Sequence, residues 1–215
     1  EEVDMLLAPG VNMKRTPHCG RNFEYYSEDP LLSGILGAAF VNGLASKGIA
    51  SSVKHYALNN QENDRVFINA EVDERTMREY YLKVFEIICK NSSPCCIMNS
   101  YNKVGGIFTS ENKYLLTDIL RDEFGFDGMI VSDWGAVHDI ALSIHAGLDL
   151  EMPYNPQLEE QLKEGMQNGK AVMEDLDRAA GNVIEFARKC ESNRTKNNPG
   201  YIRDKQHEKV QRIAE

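Results

Sequence analysis

No apolar run in this chain approaches the roughly 20 residues needed to cross a bilayer, which excludes a membrane-spanning helix of ordinary length. No signal peptide is recognisable, and the chain opens at Glu1-Glu2-Val3 without an initiator Met, so its natural N-terminus is expected upstream. Positive charge is in deficit: 24 Lys and Arg against 33 Asp and Glu give a net charge of -9. Such a field repels phosphate backbones and anionic lipid, which argues against nucleic-acid or membrane-surface partners and suits a neutral or cationic ligand. Metal-site spacing is missing among the five cysteines Cys19, Cys89, Cys95, Cys96 and Cys190. Their odd number reads as reduced thiols and points to the cytoplasm. Trp134 is the sole tryptophan, and no phosphate-binding glycine loop follows the first strand candidate. Low-complexity stretches are absent too, and 42% hydrophobic content over 215 residues is enough for one buried core.

What is present is an alternation of short apolar runs with helical patterns. Strand candidates are residues 5–9, 49–53, 95–98 and 129–131, with a fifth around 147–150. Asp29-Pro30 reads as an N-cap with proline in the first helical turn, opening a helix striped by Leu32, Ile35, Leu36, Ala39, Phe40 and Leu44. Asp73 caps a long helix striped by Met77, Tyr80, Val84 and Ile87, and Leu115 to Phe124 forms another that stops at Gly125. Two further helices follow, the second carrying Leu176, Ala179, Val183, Ala187 and Cys190. Alternation of this kind implies a parallel sheet. A closed eight-stranded barrel usually needs about 250 residues. The expected fold is therefore α/β, a (β/α)8 TIM-barrel-like domain incomplete at its N-terminal side, with an open doubly wound sheet as the alternative. The barrel part is expected over 1–190. The polar stretch 191–215 reads as a linker, with a charged helix over 202–215 leading to a second α/β domain.

The polar residues out of pattern sit where strands end. Arg21 lies in the loop after the first strand, Lys54-His55 follow the second, Asn99 to Asn102 the third, and Ser132-Asp133-Trp134 the fourth. Parallel α/β folds build their sites at that end, from residues distant in sequence. Asp133 is a carboxylate directly after an apolar run and directly before a flat apolar ring. Glycoside hydrolysis needs two carboxyl groups, one at the anomeric carbon and one on the leaving oxygen, and Asp133 suits the first role. Arg21, Lys54 and His55 are donors for sugar hydroxyls, and positive charge keeps a nucleophilic carboxylate ionised. Tyr101 is placed to donate to the same carboxylate or to a ring oxygen. Each residue alone has a blander reading: helix cap for the Asp, solvated loop for Lys-His, core filler for the Trp. Cys95-Cys96 reads as a buried strand pair.

Six stretches in order, LLAPGVNMKRTPHCGRNFEYYSEDP, SVKHYALNNQENDR, VDERTMREYYLKVFE, IMNSYNKVGG, LLTDILRDEFGFDGMIVSDWGA and AGLDLEMP, resemble glycoside hydrolase family 3 in its β-glucosidase-like branch. The resemblance implies a retaining β-glycosidase acting on terminal β-D-glucosyl residues of a small oligosaccharide or glucoside. It implies Asp133 as the nucleophile, Arg21 and Lys54-His55 as sugar-binding residues, Tyr101 beside the nucleophile, Met98 lining the pocket and Trp134 as its aromatic wall. Glu62 and Arg65 fall in a block typical of this branch, without an implied role. The family's usual acid/base Glu and a further sugar-binding Asp have no counterpart here. The block KHYALNNQE also lacks the His-bearing loop of the N-acetylglucosamine-cleaving branch. Neither a metal nor an organic cofactor is called for. The alternatives are a β-xylosidase or arabinosidase, a sugar-binding fragment without catalysis, and, by fold analogy, a lyase forming a Schiff base on Lys54.

Overall fold

The structure, a computed structural model, describes residues 3–197. Its main sheet is parallel and contains β1 (Met5–Leu6), β2 (Ala50–Tyr56), β4 (Cys96–Asn99) and β7 (Met129–Val131) in the order β1-β2-β4-β7. Leu150 adds a single parallel bridge to Val131 where a fifth strand is expected. Among the described residues the strands do not close into a ring. A second small sheet, not anticipated from the sequence, joins β3 (Asn69–Ala70), β5 (Lys103–Val104) and β6 (Ile107–Phe108).

Side chains alternate across the main sheet, so register decides what each face carries. Val53, Ile97 and Ile130 are register partners and belong to the main core, on the helix side. The next residue of each strand gives the row Lys54, Met98 and Val131 on the opposite face. Met98 and Val131 join Cys96 and Met129 there in a smaller apolar cluster flanked by Leu150, Val183 and Phe186.

The helix α1 (Pro30–Ala45) begins as expected: Asp29 accepts from the backbone N–H groups of Leu31 and Leu32 at 2.7 and 3.1 Å. The face it buries is not the expected one. Leu32, Ile35, Leu36 and Phe40 are 38–54% exposed, whereas Ser33, Gly34, Gly37, Ala38 and Val41 are buried. Small residues win because they let α1 approach its neighbour closely. A Cβ on Gly34 would lie 2.7 Å from Ile87, and one on Gly37 would lie 2.7 Å from Ile88.

That neighbour is the second half of the helix expected after Asp73. It is interrupted: α2 (Glu74–Thr76) passes through a wide turn at Met77–Tyr81, closed by Leu82 N–H on the Met77 carbonyl at 2.8 Å, before α3 (Lys83–Asn91). Residues Tyr114–Glu123 are likewise wound with five-residue spacing and bury Leu115, Leu116, Ile119 and Leu120. The chain continues through α4 (Ile140–Ala146), α5 (Pro156–Gln167) and α6 (Met173–Asn197). Helix α6 thus carries on past residue 190 into the stretch that reads as a linker. The charged helix expected over 202–215 lies outside the described residues. Among the described residues no helix is long and apolar enough to cross a membrane.

Candidate active site

Two consecutive polar residues, Lys54 and His55, reach one site because β2 carries an irregularity. Lys54 pairs with Met98 and Tyr56 pairs with Asn99, so β2 holds one more residue here than its partner. An extra residue re-aims the side chains around it. Lys54 stays on the inner face, His55 is turned toward Asp133, and Tyr56 points into the helix-side core against Phe85. Both residues lie inside β2, which runs three residues further than the sequence suggests.

Asp133 comes two residues after Val131, at the C-terminal end of β7, and is 7% exposed. Its Oδ1 accepts from the Trp134 backbone N–H at 2.7 Å. Its Oδ2 is buried and has no hydrogen-bond partner among the described residues. The closest cation candidate is His55, whose Nε2 is 3.6 Å from Oδ2, too far for a hydrogen bond. Burial, reinforced by the nearby charges of Arg21, Lys54 and Arg65, pushes the His55 imidazole well below its ordinary pKa, so the ring is neutral and forms no ion pair. Asp149, the other buried carboxylate near β7, contrasts with this. It meets Arg121 at 2.6 Å, Asn182 at 3.0 Å and the Ile130 N–H at 2.8 Å.

Arg21 and Lys54 meet through a residue the sequence reading passed over. Glu24 takes Arg21 Nε on Oε1 at 2.5 Å and Lys54 Nζ on Oε2 at 3.1 Å. Burial alone would raise the Glu24 carboxyl, but the hydrogen bonds from the two cations hold it below its ordinary value. An Arg with a Glu three positions on, within a loop, is the signal that could have found it. Two more residues act on His55. Asn12 brackets its backbone, and the Tyr25 hydroxyl lies 3.3 Å from Nδ1.

Tyr101 donates to the Trp134 carbonyl at 3.0 Å, with the Asp133 carboxylate beside its hydroxyl. Burial, followed by the neighbouring Asp133 charge, pushes its phenol up to about 12. The Arg65 guanidinium lies 4.4 Å over the Tyr101 ring and is itself bound by Glu62 at 2.5 Å, which attaches the Glu62–Arg65 block to the site. Trp134 is 42% exposed and is one of the residues lining an apolar cavity of about 520 Å³, with Val131, Leu150 and Phe186. Met98 is buried in the inner row between Lys54 and Val131. All seven residues singled out in the sequence thus lie at one end of the sheet or in the row beneath it. The arrangement offers a buried carboxylate with one free oxygen, a neutral imidazole beside it, and two cations tied to a second carboxylate.

Residues 1–186 match the profile described as glycosyl hydrolase family 3 N terminal domain. The thermostable beta-glucosidase B of Acetivibrio thermocellus is 43% identical over 215 residues, covering 100% of this chain and 28% of that protein. The exo-alpha-(1->6)-L-arabinopyranosidase of Bifidobacterium breve is 46% identical over 189 residues, covering 88% of this chain and 25% of that protein. Among solved structures, the GH3 beta-glucosidase of Bifidobacterium adolescentis superposes with a TM-score of 0.86 at 43% identity, covering 96% of this chain and 30% of that one. Beta-glucosidase 3B of Thermotoga neapolitana in complex with glucose gives 0.85 at 40% identity, covering 97% and 30%. The chain therefore spans less than a third of each of these proteins, and its fold is of the (β/α)8-barrel-like class.

Proposed function

The chain belongs to glycosyl hydrolase family 3 through that family's N-terminal domain, and from this we propose that it carries the nucleophile half of a retaining β-glycosidase site. The substrate is a small oligosaccharide or glucoside with a terminal non-reducing β-D-glucosyl residue. Asp133 attacks the anomeric carbon and holds the sugar as a covalent glycosyl-enzyme, which water then hydrolyses. The observation that carries this reading is the unpartnered, buried Oδ2 of Asp133, facing His55 at the C-terminal end of a parallel strand. A buried acceptor left without a protein donor costs stability unless a ligand or water supplies one.

The other residues take roles that follow from their chemistry. Arg21 and Lys54 donate to sugar hydroxyls and keep the neighbourhood positive. His55 borders the sugar beside the nucleophile, Tyr101 fixes the Asp133-Trp134 turn through the Trp134 carbonyl, and Trp134 offers its ring to the sugar face. Met98 supplies apolar floor in the inner row.

The proton for the leaving oxygen comes from another carboxyl group. Glu24 is held ionised by Arg21 and Lys54, which suits it to orienting cations and not to giving up a proton. Both Glu62 oxygens are engaged, by Arg65 and Asn59. We assign the acid/base group to a second α/β domain of the parent protein, beyond helix α6.

A 2-deoxy-2-fluoro-β-glucoside with a dinitrophenolate leaving group needs no proton at departure and traps the intermediate. Peptide mass spectrometry after exposure should find the label on Asp133. A label on Glu24, Glu62 or Asp149 instead would sink the assignment. The Bifidobacterium relative named as an arabinopyranosidase supports a second reading of the sugar: an arabinopyranosyl glycoside. Parallel turnover of aryl β-D-glucoside and aryl α-L-arabinopyranoside by the parent protein separates the two.

A further inference from the structure

The orientation of His55 is imposed by one side chain from another segment. Asn12 is 3% exposed and meets both backbone groups of His55: Oδ1 accepts from its N–H at 2.9 Å, and Nδ2 donates to its carbonyl at 2.9 Å. This bracket identifies the two ends of the Asn12 amide, because an N–H requires an acceptor and a carbonyl requires a donor. The same Oδ1 lies 3.2 Å from Nδ1 of the His55 ring. An oxygen that can only accept, placed against a ring nitrogen, favours the form in which that nitrogen carries the hydrogen. The Tyr25 hydroxyl, 3.3 Å from the same nitrogen, both donates and accepts and so adapts to either form.

We infer that Asn12 is a positioning residue that places the His55 proton on Nδ1, leaving Nε2 as a hydrogen-bond acceptor toward Asp133. Two consequences follow. A protonated Nε2 would lean its hydrogen toward the Asp133 carboxylate and lower the basicity that an attacking oxygen needs. With the proton on Nδ1, that damping is absent. In addition, Nε2 and Asp133 Oδ2 are then two acceptors 3.6 Å apart with no hydrogen between them, a pair that a donor lying to one side satisfies, one acceptor per O–H. A ligand hydroxyl or a water has this chemistry. The sugar hydroxyl as filler rests on the glycosidase reading, whereas the position of the proton does not.

The test is long-range proton–nitrogen NMR on the 215-residue chain with ¹⁵N-labelled histidine at neutral pH, the His55 signals being identified by their loss in His55→Gln. Protonated and unprotonated ring nitrogens are resolved by chemical shift. The wild type should show Nδ1 protonated and Nε2 bare, and Tyr25→Phe should keep that pattern. Folded Asn12→Leu should move the proton to Nε2. A wild-type proton on Nε2 overturns the proposal, as does a switch to Nε2 in Tyr25→Phe or an unchanged Nδ1 proton in folded Asn12→Leu. If Asn12→Leu does not fold, the wild-type and Tyr25→Phe spectra decide alone. Glucose added to the wild type should shift the Nε2 resonance. A proton on Nδ1 with no glucose response supports the role of Asn12, points to water in the gap, and counts against the sugar site.

Discussion

Glu24 holds Lys54 through Oε2 at 3.1 Å while its other oxygen holds Arg21, so one carboxylate from a loop sets the spacing of two cations from different segments. Side chains of all three are 14–20% exposed, which places the cluster between full burial and open solvent.

Replacement of that carboxylate leaves two cations facing each other with a neutral amide between them. Glu24→Gln should lower the unfolding free energy by about 1–3 kcal/mol, the range for leaving a buried hydrogen-bonding partner unsatisfied. Urea denaturation measures it. An unchanged midpoint would mean that Arg21 and Lys54 find solvent readily and that Glu24 does not organise them.

The two buried carboxylates at β7 should respond in opposite ways to neutralisation. Asp149 is tied to Arg121, Asn182 and a backbone N–H, and Asp149→Asn should cost about 1–3 kcal/mol by weakening those bonds, the half-buried Arg121 keeping the Gly128 and Gly147 carbonyls. Asp133 has an oxygen with no donor, and Asp133→Asn should leave stability unchanged or raise it by up to about 2 kcal/mol. Thermal unfolding of both variants checks this. A large loss for Asp133→Asn would recast it as a structural residue.

His55 makes stability depend on pH. Its folded pKa lies well below 6.5, so between 6.5 and that lower value the unfolded chain binds a proton that the folded chain refuses. Its contribution is complete above 6.5 and is lost as the pH falls below 6.5, at up to about 1.4 kcal/mol per pH unit. His138, also lowered by burial, works in the same direction. Urea midpoints at pH 7.5 and 5.5 should therefore drop more for the wild type than for His55→Gln. Equal drops would show that His55 takes up its proton in the folded state.

Two glycines of α1 should behave differently. Gly34 faces Ile87 with no room for a Cβ, so Gly34→Ala should cost about 1–3 kcal/mol through overpacking. Gly43 has nothing within 4 Å, so Gly43→Ala should gain about 0.5–1 kcal/mol from helix propensity. Circular dichroism melts of the pair test the close contact of α1 with α3.

The sequence by itself determined the strand–helix alternation, the Asp29 and Asp73 caps, the strand at Met129–Val131 and the residues gathered at the strand ends. These are local matters: a cap needs a side-chain oxygen beside free N–H groups, and a buried strand needs a short apolar run. Only the tertiary structure decided which face of α1 is covered. Periodicity marks Leu32, Ile35, Leu36 and Phe40, but close packing against Ile87 and Ile88 selects the small residues between them. The extra residue in β2 that turns Lys54 and His55 into one site depends on the register of β4, which no local pattern encodes. Asn12 and Tyr25 were illegible for the same reason, and Glu24 was legible only in its spacing from Arg21, not in its hold on Lys54. Their importance lies in what they touch 30 or 43 positions away, and distance in the chain carries no trace of contact in space.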